Sequence, residues 1–137
     1  MSPTGAAALT LGVADDADVS VVVLRVGEEA QRAGLDPADC SRARTAAAEL
    51  ATNILKYAGR GTLTVRRLED GARRGLELHA EDRGPGIPDV EAALQDHFST
   101  SGTLGLGLPG VRRLMDEFEL RSAAGKGTSV RVRKWAS

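Results

Sequence analysis

Apolar residues recur at helical spacing between residues 36 and 58. Asp36-Pro37 supplies a helix cap followed by a first-turn proline, and Gly59 is the kind of residue that commonly ends a helix. One stripe of this segment is apolar and consists of Ala47, Leu50, Ala51, Ile54 and Ala58. The other side carries Thr45, Glu49, Asn53 and Lys56. The pattern predicts an amphipathic helix from Pro37 to Ala58.

Alternating or β-branched runs predict strands elsewhere in the chain. The expected strands are Val19–Arg25, Thr62–Leu68, Gly75–Glu81, Leu120–Ser122 and Ser129–Lys134. Further helices are expected at Glu28–Ala33, at Val90–Leu94, and after Pro109, with Val111, Leu114, Met115 and Phe118 on the apolar side of the last one. Residues 1–18 show little pattern, so we expect a mobile lead-in or an edge segment there.

The order of these elements favours one domain of the α+β class. Helices and strands alternate in blocks, which is typical of a two-layer α/β sandwich with helices on one face of a mixed, mainly antiparallel sheet. We expect residues 1–18 to form a variable lead-in and residues 19–137 to form the domain, since no long linker divides them.

Composition and charge exclude several classes. The chain has 42% hydrophobic and 27% charged residues, no long apolar run, and no basic residue before its first apolar stretch, so we expect a cytoplasmic protein without a membrane span or signal peptide. Cys40 is the single cysteine and excludes an internal disulfide. The net charge of −1 gives no reason to expect a nucleic-acid partner. Residues 1–40 are acidic and residues 102–137 basic, which suits an anionic ligand or partner and equally suits solvated surface.

Glycine is the more informative residue type. Of 16 glycines, six cluster at positions 84, 86, 102, 105, 107 and 110. The segment from Leu104 to Pro109 leads a glycine loop into a helix, an arrangement that offers free backbone N–H groups to phosphate. It lacks the Gly-Lys-Ser/Thr of a Walker A loop, and it does not follow the first strand of a βαβ unit as a dinucleotide loop does.

Three polar side chains are candidates for the accompanying chemistry. Glu49 and Asn53 lie four residues apart on one helical face, where a carboxamide and a carboxylate suit a magnesium–phosphate site. Asp82 lies where a strand meets a Gly-x-Gly loop and can accept a hydrogen bond from an exocyclic amine. Taken singly, each has an ordinary alternative: an exposed polar stripe, or a solvent-facing Asp turn. His79 and His97 have no partners at metal-ligand or catalytic spacing and receive no role.

The order of these features resembles the ATP-binding domain of the gyrase, Hsp90, histidine-kinase and MutL (GHKL) superfamily, with its Bergerat-type fold. Glu49 to Asn53 resembles the N box, Asp82 to Gly86 the first glycine box, Gly105 to Gly107 the second, and Gly125 to Thr128 the final turn. Within the superfamily, residues 49–58 and 98–119 and the terminal Val-Arg-Lys-Trp resemble the RsbT-type switch kinases of the stressosome, in the anti-sigma-factor branch.

The resemblance implies a role for each matching residue. Glu49 would be the catalytic base, and Asn53 would ligate Mg²⁺ held by the ATP phosphates. Asp82 would bind the adenine amino group, with support from Thr128. The remaining nucleotide contacts would come from Gly84, Gly86, Gly102, Gly105, Leu106 and Gly107.

The implied activity is ATP- and Mg²⁺-dependent phosphorylation of serine or threonine on STAS-domain antagonist or scaffold proteins. A PP2C-type phosphatase is the second implied partner, activated when the kinase is released, and a homodimer is possible. A binding module of the same fold, with catalysis weak or absent, is the alternative. A histidine-kinase fragment is disfavoured because a phosphoacceptor helix is absent.

Overall fold

A computed structural model describes residues 4–5, 8–87 and 107–137. Within these ranges six strands form one sheet, and three helices pack on it. The strands are β1 (Thr4–Gly5), β2 (Leu9–Val13), β3 (Gly61–Asp70), β4 (Arg73–Asp82), β5 (Glu117–Ser122) and β6 (Thr128–Trp135). The helices are α1 (Asp16–Arg32), α2 (Pro37–Ala58) and α3 (Gly107–Leu114). The expected α+β sandwich is confirmed.

All strand pairings in the described part of the sheet are antiparallel. β1 and β2 both pair with β3, and the order continues through β4 and β6 to β5. β2 therefore forms an edge strand, one of the two outcomes expected for residues 1–18. In the register, Asp82 lies opposite both Gly61 on β3 and Thr128 on β6, and Thr128 lies opposite Ser122 on β5.

Helix α2 begins and ends where the sequence predicts. The Asp36 carboxylate accepts a hydrogen bond from the Asp39 amide at 2.8 Å, and Gly59 ends the helix with φ = 81°. The buried face of the helix consists of Ala43, Ala46, Ala47, Leu50, Ala51 and Ile54. Small side chains dominate this face, so α2 can lie close to the sheet and to α1.

The prediction of a strand at Val19–Arg25 is wrong, because these residues belong to helix α1. Asp15 caps this helix by accepting from the Asp18 amide at 3.0 Å. Val22, Val26 and Ala30 recur at intervals of four and are buried against α2 and the sheet, whereas Val21 and Leu24 are exposed. Burial of a helical stripe outweighs the weak β-preference of the valines, which is small for any one residue.

Helix α3 is shorter than expected, since it ends at Leu114 and Phe118 belongs to β5. The chain turns at Asp116, whose amide donates to the Arg133 carbonyl at 2.9 Å. The Asp116 carboxylate accepts from the Trp135 amide at 2.8 Å and pairs with Lys134 at 3.2 Å. These bonds attach the chain at Asp116 to β6, so strand β5 begins at Glu117 and helix α3 does not continue to Phe118. The predicted helix Val90–Leu94 lies outside the described residues.

The main core lies between the helices and one face of the sheet. On the opposite face, Arg73 stacks on the Trp135 ring at 4.0 Å, and Glu77 is buried beneath arginines with its Oε1 2.9 Å from Arg131 Nε. His79 on this face contacts Ser129 Oγ at 2.7 Å. Among the helices of the described ranges, none is both long enough and apolar enough to cross a membrane.

Candidate functional site

Three neighbouring strands, β4, β6 and β5, each carry a polar side chain at the same end of the sheet, on the side that faces the helices. Side chains alternate along a strand, so Asp82 continues the buried series of Leu78 and Ala80 on β4. Thr128 on β6 and Ser122 on β5 occupy the corresponding positions, because the register places them in one row with Asp82. We call Asp82, Thr128 and Ser122 the polar row. It places hydrogen-bonding groups at one end of a sheet face whose centre is apolar.

The Asp82 carboxylate is held by the loop that follows it. Its Oδ1 accepts a hydrogen bond from the Gly84 amide at 2.9 Å, closing a turn between the strand and the loop. A carboxylate has several lone pairs, so this bond leaves acceptor capacity for a ligand. Asp82 is half-buried. The geometry is compatible with recognition of an exocyclic amine, the role that the sequence analysis assigns to this residue.

The glycine loop after Asp82 is hydrogen-bonded to the β5–β6 turn. The Gly125 amide donates to the Pro85 carbonyl at 2.6 Å, and the Ile87 amide donates to Ser122 Oγ at 2.7 Å. Two segments separated by about 40 residues in the sequence are therefore fixed against each other at the polar row.

Two glycines in this contact have both a left-handed backbone and no space for a side chain. At Gly86 (φ = 78°) an added Cβ would lie 2.0 Å from the Ala123 carbonyl oxygen. At Gly127 (φ = 75°) it would lie 2.2 Å from the Asp82 carbonyl oxygen. Glycine is required at both positions because the two backbones pass in direct contact.

Helix α2 reaches the same loop with its last turn. A Cβ on Gly84 would lie 2.6 Å from the Cβ of Ala58, so the loop lies against the helix end. Glu49 and Asn53 precede Ala58 on this helix by about 13 Å and about 7 Å along the axis, at about 1.5 Å per residue. Both are half-buried, at the border of the apolar stripe and not on the fully exposed side, where Lys56 lies. The C-terminal end of α2 therefore lies near the loop that follows Asp82, and Asn53 and Glu49 lie about one to three turns farther back along the helix.

Part of the predicted phosphate site lies outside the described residues. Gly102, Gly105 and Leu106 belong to this part. His97, which has no predicted role, also lies outside the described residues. Gly107 is described and is the first residue of α3, with φ = 51°. The first amides of a helix have no partner within the helix and are natural donors to an anion.

The donor set near Asn53 suits magnesium bound through a nucleotide. Among the described residues, no group of three or more His, Cys, Asp or Glu side chains could hold a metal ion. Mg²⁺ commonly takes one or two protein oxygens and completes its shell with phosphate oxygens and water. A single carboxamide oxygen at Asn53 fits that mode of binding.

A cavity of about 390 Å³ adjoins the polar row at the end of the sheet. Asp82, Ser122 and Thr128 contribute to its lining together with the turn that follows β5, where Lys126 adds a positive charge. The sequence analysis assigned no role to Ser122. Its position in the row depends on the pairing of β5 with β6, a register that the sequence alone did not supply.

Comparison with known proteins identifies the family. Residues 12–134 match the family model of the histidine kinase-like ATPase domain. The chain is 51% identical over 106 residues to the serine/threonine-protein kinase RsbT of Bacillus subtilis, covering 77% of this chain and 80% of that protein. It is 33% identical over 111 residues to the anti-sigma F factor of a Thermoanaerobacter species, covering 75% and 76% of the two chains.

Two solved structures share the fold at 19% sequence identity. The RsbU and RsbW domains of a Mycobacterium tuberculosis protein match with a TM-score of 0.61 over 94% of this chain, which spans only 32% of that larger chain. The mycobacterial sensor histidine kinase MprB matches with a TM-score of 0.54 over 94% of this chain and 97% of its own. The chain belongs to the histidine kinase-like ATPase domain family and, within it, to the RsbT-type serine/threonine-protein kinases.

Proposed function

We propose that this kinase uses ATP and Mg²⁺ to phosphorylate serine or threonine on STAS-domain antagonist or scaffold proteins of a bacterial partner-switching system. The observation that carries the proposal is the junction between the glycine loop and α2. Gly84 touches Ala58, so one loop connects Asp82 with the helix that bears Asn53 and Glu49. Adenine recognition, metal ligation and proton removal are then assigned to residues that follow one another from this loop along α2.

Each described residue has a defined part in this proposal. Asp82 accepts a hydrogen bond from the adenine amino group, and Gly84 and Gly86 let the backbone lie against the base. Asn53 holds Mg²⁺ through its carboxamide oxygen; when bound, the ion neutralises phosphate charge and orients the terminal phosphoryl group. The amide of Gly107 at the start of α3 donates to the phosphates.

The proposed chemical step is an in-line phosphoryl transfer. The hydroxyl oxygen of the acceptor residue forms a bond to the γ-phosphorus, the bond from that phosphorus to the β,γ-bridging oxygen breaks, and ADP leaves. Glu49 accepts the hydroxyl proton. The sequence has no Lys or Arg between Ser99 and Pro109, so we expect slow turnover in the absence of a partner protein.

The proposed partners follow from the resemblance and agree with the charge distribution. A STAS-domain protein is the substrate, and a PP2C-type phosphatase is bound and activated after release. The acidic N-terminal and basic C-terminal regions offer two electrostatically distinct surfaces for these two interactions. Anti-sigma factors among the relatives support a regulatory role.

Transfer of radiolabelled phosphate from ATP to a purified cognate STAS-domain protein tests the proposal. Glu49→Gln keeps the size of the side chain and removes the base, and Asn53→Ala removes the metal ligand. We expect each to reduce labelling at least about 100-fold. Thr52→Ala, on the same helix, is the matched control and should label like the unmodified protein.

The results separate the two candidate functions. Equal labelling by all variants would refute the site assignment. If the unmodified protein transfers no phosphate but binds the STAS-domain protein or phosphatase, the alternative of a non-catalytic or weakly catalytic binding module is correct.

A further inference from the structure

Within the described part of the chain, the Ser122 hydroxyl has three hydrogen-bond contacts at the polar row. Its Oγ lies 2.7 Å from the Ile87 amide nitrogen, 2.8 Å from the Gly127 carbonyl oxygen and 2.9 Å from Thr128 Oγ1. The three partners come from the glycine loop, from the β5–β6 turn and from β6. One side chain of β5 therefore connects the glycine loop after Asp82, the β5–β6 turn and β6 at this end of the sheet.

The valence of the hydroxyl fixes the direction of each bond. A serine hydroxyl has one proton and two lone pairs. The Gly127 carbonyl can only accept, so it takes the Ser122 proton. The Ile87 amide can only donate, so it takes one lone pair of Ser122. The contact with Thr128 must then use the second lone pair, and Thr128 is the donor.

This assignment determines what Thr128 can offer to a ligand. Its only hydroxyl proton is directed to Ser122, and both of its lone pairs remain. Thr128 is half-buried and lines the cavity at the end of the sheet. It therefore acts as an acceptor toward the cavity. Asp82, opposite Thr128 in the register, is also an acceptor when ionised.

We propose that Ser122 is a positioning residue for base selection: by holding the Thr128 proton, it makes Asp82 and Thr128 a pair that only accepts hydrogen bonds. Such a pair accepts from the 6-amino group of adenine and has no proton to offer to the 6-oxygen of a 6-oxo purine. The inference rests on the proposed nucleotide site and adds a residue that acts on it through Thr128.

Measured binding of ATP and ITP, by calorimetry in the presence of Mg²⁺, tests this role. The two nucleotides differ at the 6-position of the base and in the proton that hypoxanthine carries on N1, so the ratio of their dissociation constants measures recognition of this edge of the base. The change of that ratio in a variant then measures the contribution of the substituted side chain. In Ser122→Ala the Thr128 hydroxyl is released and can donate to a 6-oxo group. We expect the preference for ATP over ITP to fall about tenfold, because ITP gains about one hydrogen bond and the net free energy of one such bond corresponds to about tenfold in a dissociation constant. Ser122→Thr keeps the hydroxyl and should keep the preference.

A double-mutant cycle separates positioning from a general structural effect. In a Thr128→Val background, Ser122→Ala should leave the ATP/ITP ratio unchanged, since no hydroxyl remains to be released. Ser129→Ala, a neighbouring hydroxyl that faces His79, is the control for loss of a strand serine. Thermal unfolding of each variant checks that it is folded.

The outcomes distinguish this proposal from the proposed function. If the unmodified protein binds neither nucleotide, both are wrong. If it binds ATP and Ser122→Ala only lowers the unfolding temperature while the ratio stays constant, the role of Ser122 is purely structural and this proposal alone fails. A change in ratio that persists in the Thr128→Val background would also overturn it.

Discussion

Two glycines of the β5–β6 turn have the same backbone conformation and different surroundings. Gly125 has φ = 76° with no atom within 4 Å of an added Cβ, whereas a Cβ on Gly127 would lie 2.2 Å from a carbonyl oxygen of β4. We expect Gly125→Ala to cost about 1 kcal/mol in unfolding free energy, from backbone strain alone. Gly127→Ala should cost more than about 3 kcal/mol, because strand β4 must also move.

Urea unfolding of the two alanine variants measures this difference directly. Gly127→Ala should in addition weaken ATP binding, since the displaced backbone belongs to Asp82. Similar unfolding free energies for both variants would show that the contact between the turn and β4 is not tight in solution.

Cys40 provides a residue-level prediction that depends on pH. The thiol lies on the buried side of the first turn of α2, 3.4 Å from the Leu35 carbonyl oxygen, to which it donates. Desolvation by burial raises the pKa of Cys40, and the carboxylates of Asp36 and Asp39 add to the rise, while Arg44 opposes it. The folded protein therefore holds the neutral thiol in preference to the thiolate, which is the reactive form.

We expect Cys40 to react slowly with a maleimide at neutral pH and rapidly once urea unfolds the chain. Because its folded pKa is raised, its contribution to stability is present below the unfolded pKa, near 8.5, and is lost as the pH rises through the folded value. Cys40→Ala should remove this alkaline loss. Fast labelling of the folded protein at neutral pH would contradict the assigned burial.

Sequence reasoning identifies site residues where the chemistry is local and misses them where it depends on register. Asp82 and the glycines that follow it lie close together in the chain, so the turn that they form can be predicted from the sequence. Ser122 becomes informative only when β5 is paired with β6 and the glycine loop is placed against them. Glu77 alternates with Leu76 and Leu78 along β4, which indicates a polar strand face, and arginines from neighbouring strands bury it there.

At the scale of single elements, α1 offers a test of helix against strand. Val21 and Val22 are adjacent, yet Val22 is fully buried and Val21 is exposed. We expect Val22→Ala to cost about 2 kcal/mol, from lost apolar burial and the cavity left behind. Val21→Ala should be neutral or stabilising by about 0.5 kcal/mol, because alanine is the better helix former.

Leu24→Ala extends this comparison to a second exposed position. Leu24 lies three residues after Val21 on the same outer side of α1, so its truncation should also change the unfolding free energy little. In an alternating strand, Leu24 would share the face of Val22, and both substitutions would be costly. Chemical denaturation of the three variants decides between these patterns.

The contrast between α2 and α1 explains which elements the sequence predicts. α2 has a cap, a first-turn proline, a terminal glycine and an apolar stripe, and all of these agree. In α1 the valine run favours a strand locally, and only the spacing of Val22, Val26 and Ala30 indicates the helix. The helix forms because α2 and the sheet bury that stripe. The residue preferences within one segment do not show which of its side chains other elements will bury.

At the scale of the whole molecule, the two faces of the sheet have different roles. The helix-facing side combines the apolar core with the polar row at one end. The other side carries a charged layer around Glu77, in which Arg133 also contacts Glu117 at 3.6 Å. The proposed site is therefore built on strands of the sheet, which position side chains more precisely than loops do.

The extent of the domain depends on strand β2, which pairs with β3 from Leu9 opposite Val65 to Val13 opposite Gly61. Val13 is fully buried in the core. A boundary after residue 18 would place this strand outside the domain, whereas the pairing makes it the edge of the sheet. Loss of β2 would expose the β3 edge and leave a hole at Val13, and an unpaired edge promotes association between chains.

We expect deletion of residues 1–13 to lower the unfolding free energy by about 2–4 kcal/mol, from the lost burial of Val13 and the lost strand pairing. Deletion of residues 1–8 keeps β2 and is the matched control. It should change the unfolding free energy by less than about 1 kcal/mol. Trp135 fluorescence during urea unfolding measures stability, and light scattering measures association through the exposed edge. If the longer deletion is as stable and as monodisperse as the shorter one, β2 is dispensable and the domain begins after residue 18, as the sequence pattern predicts.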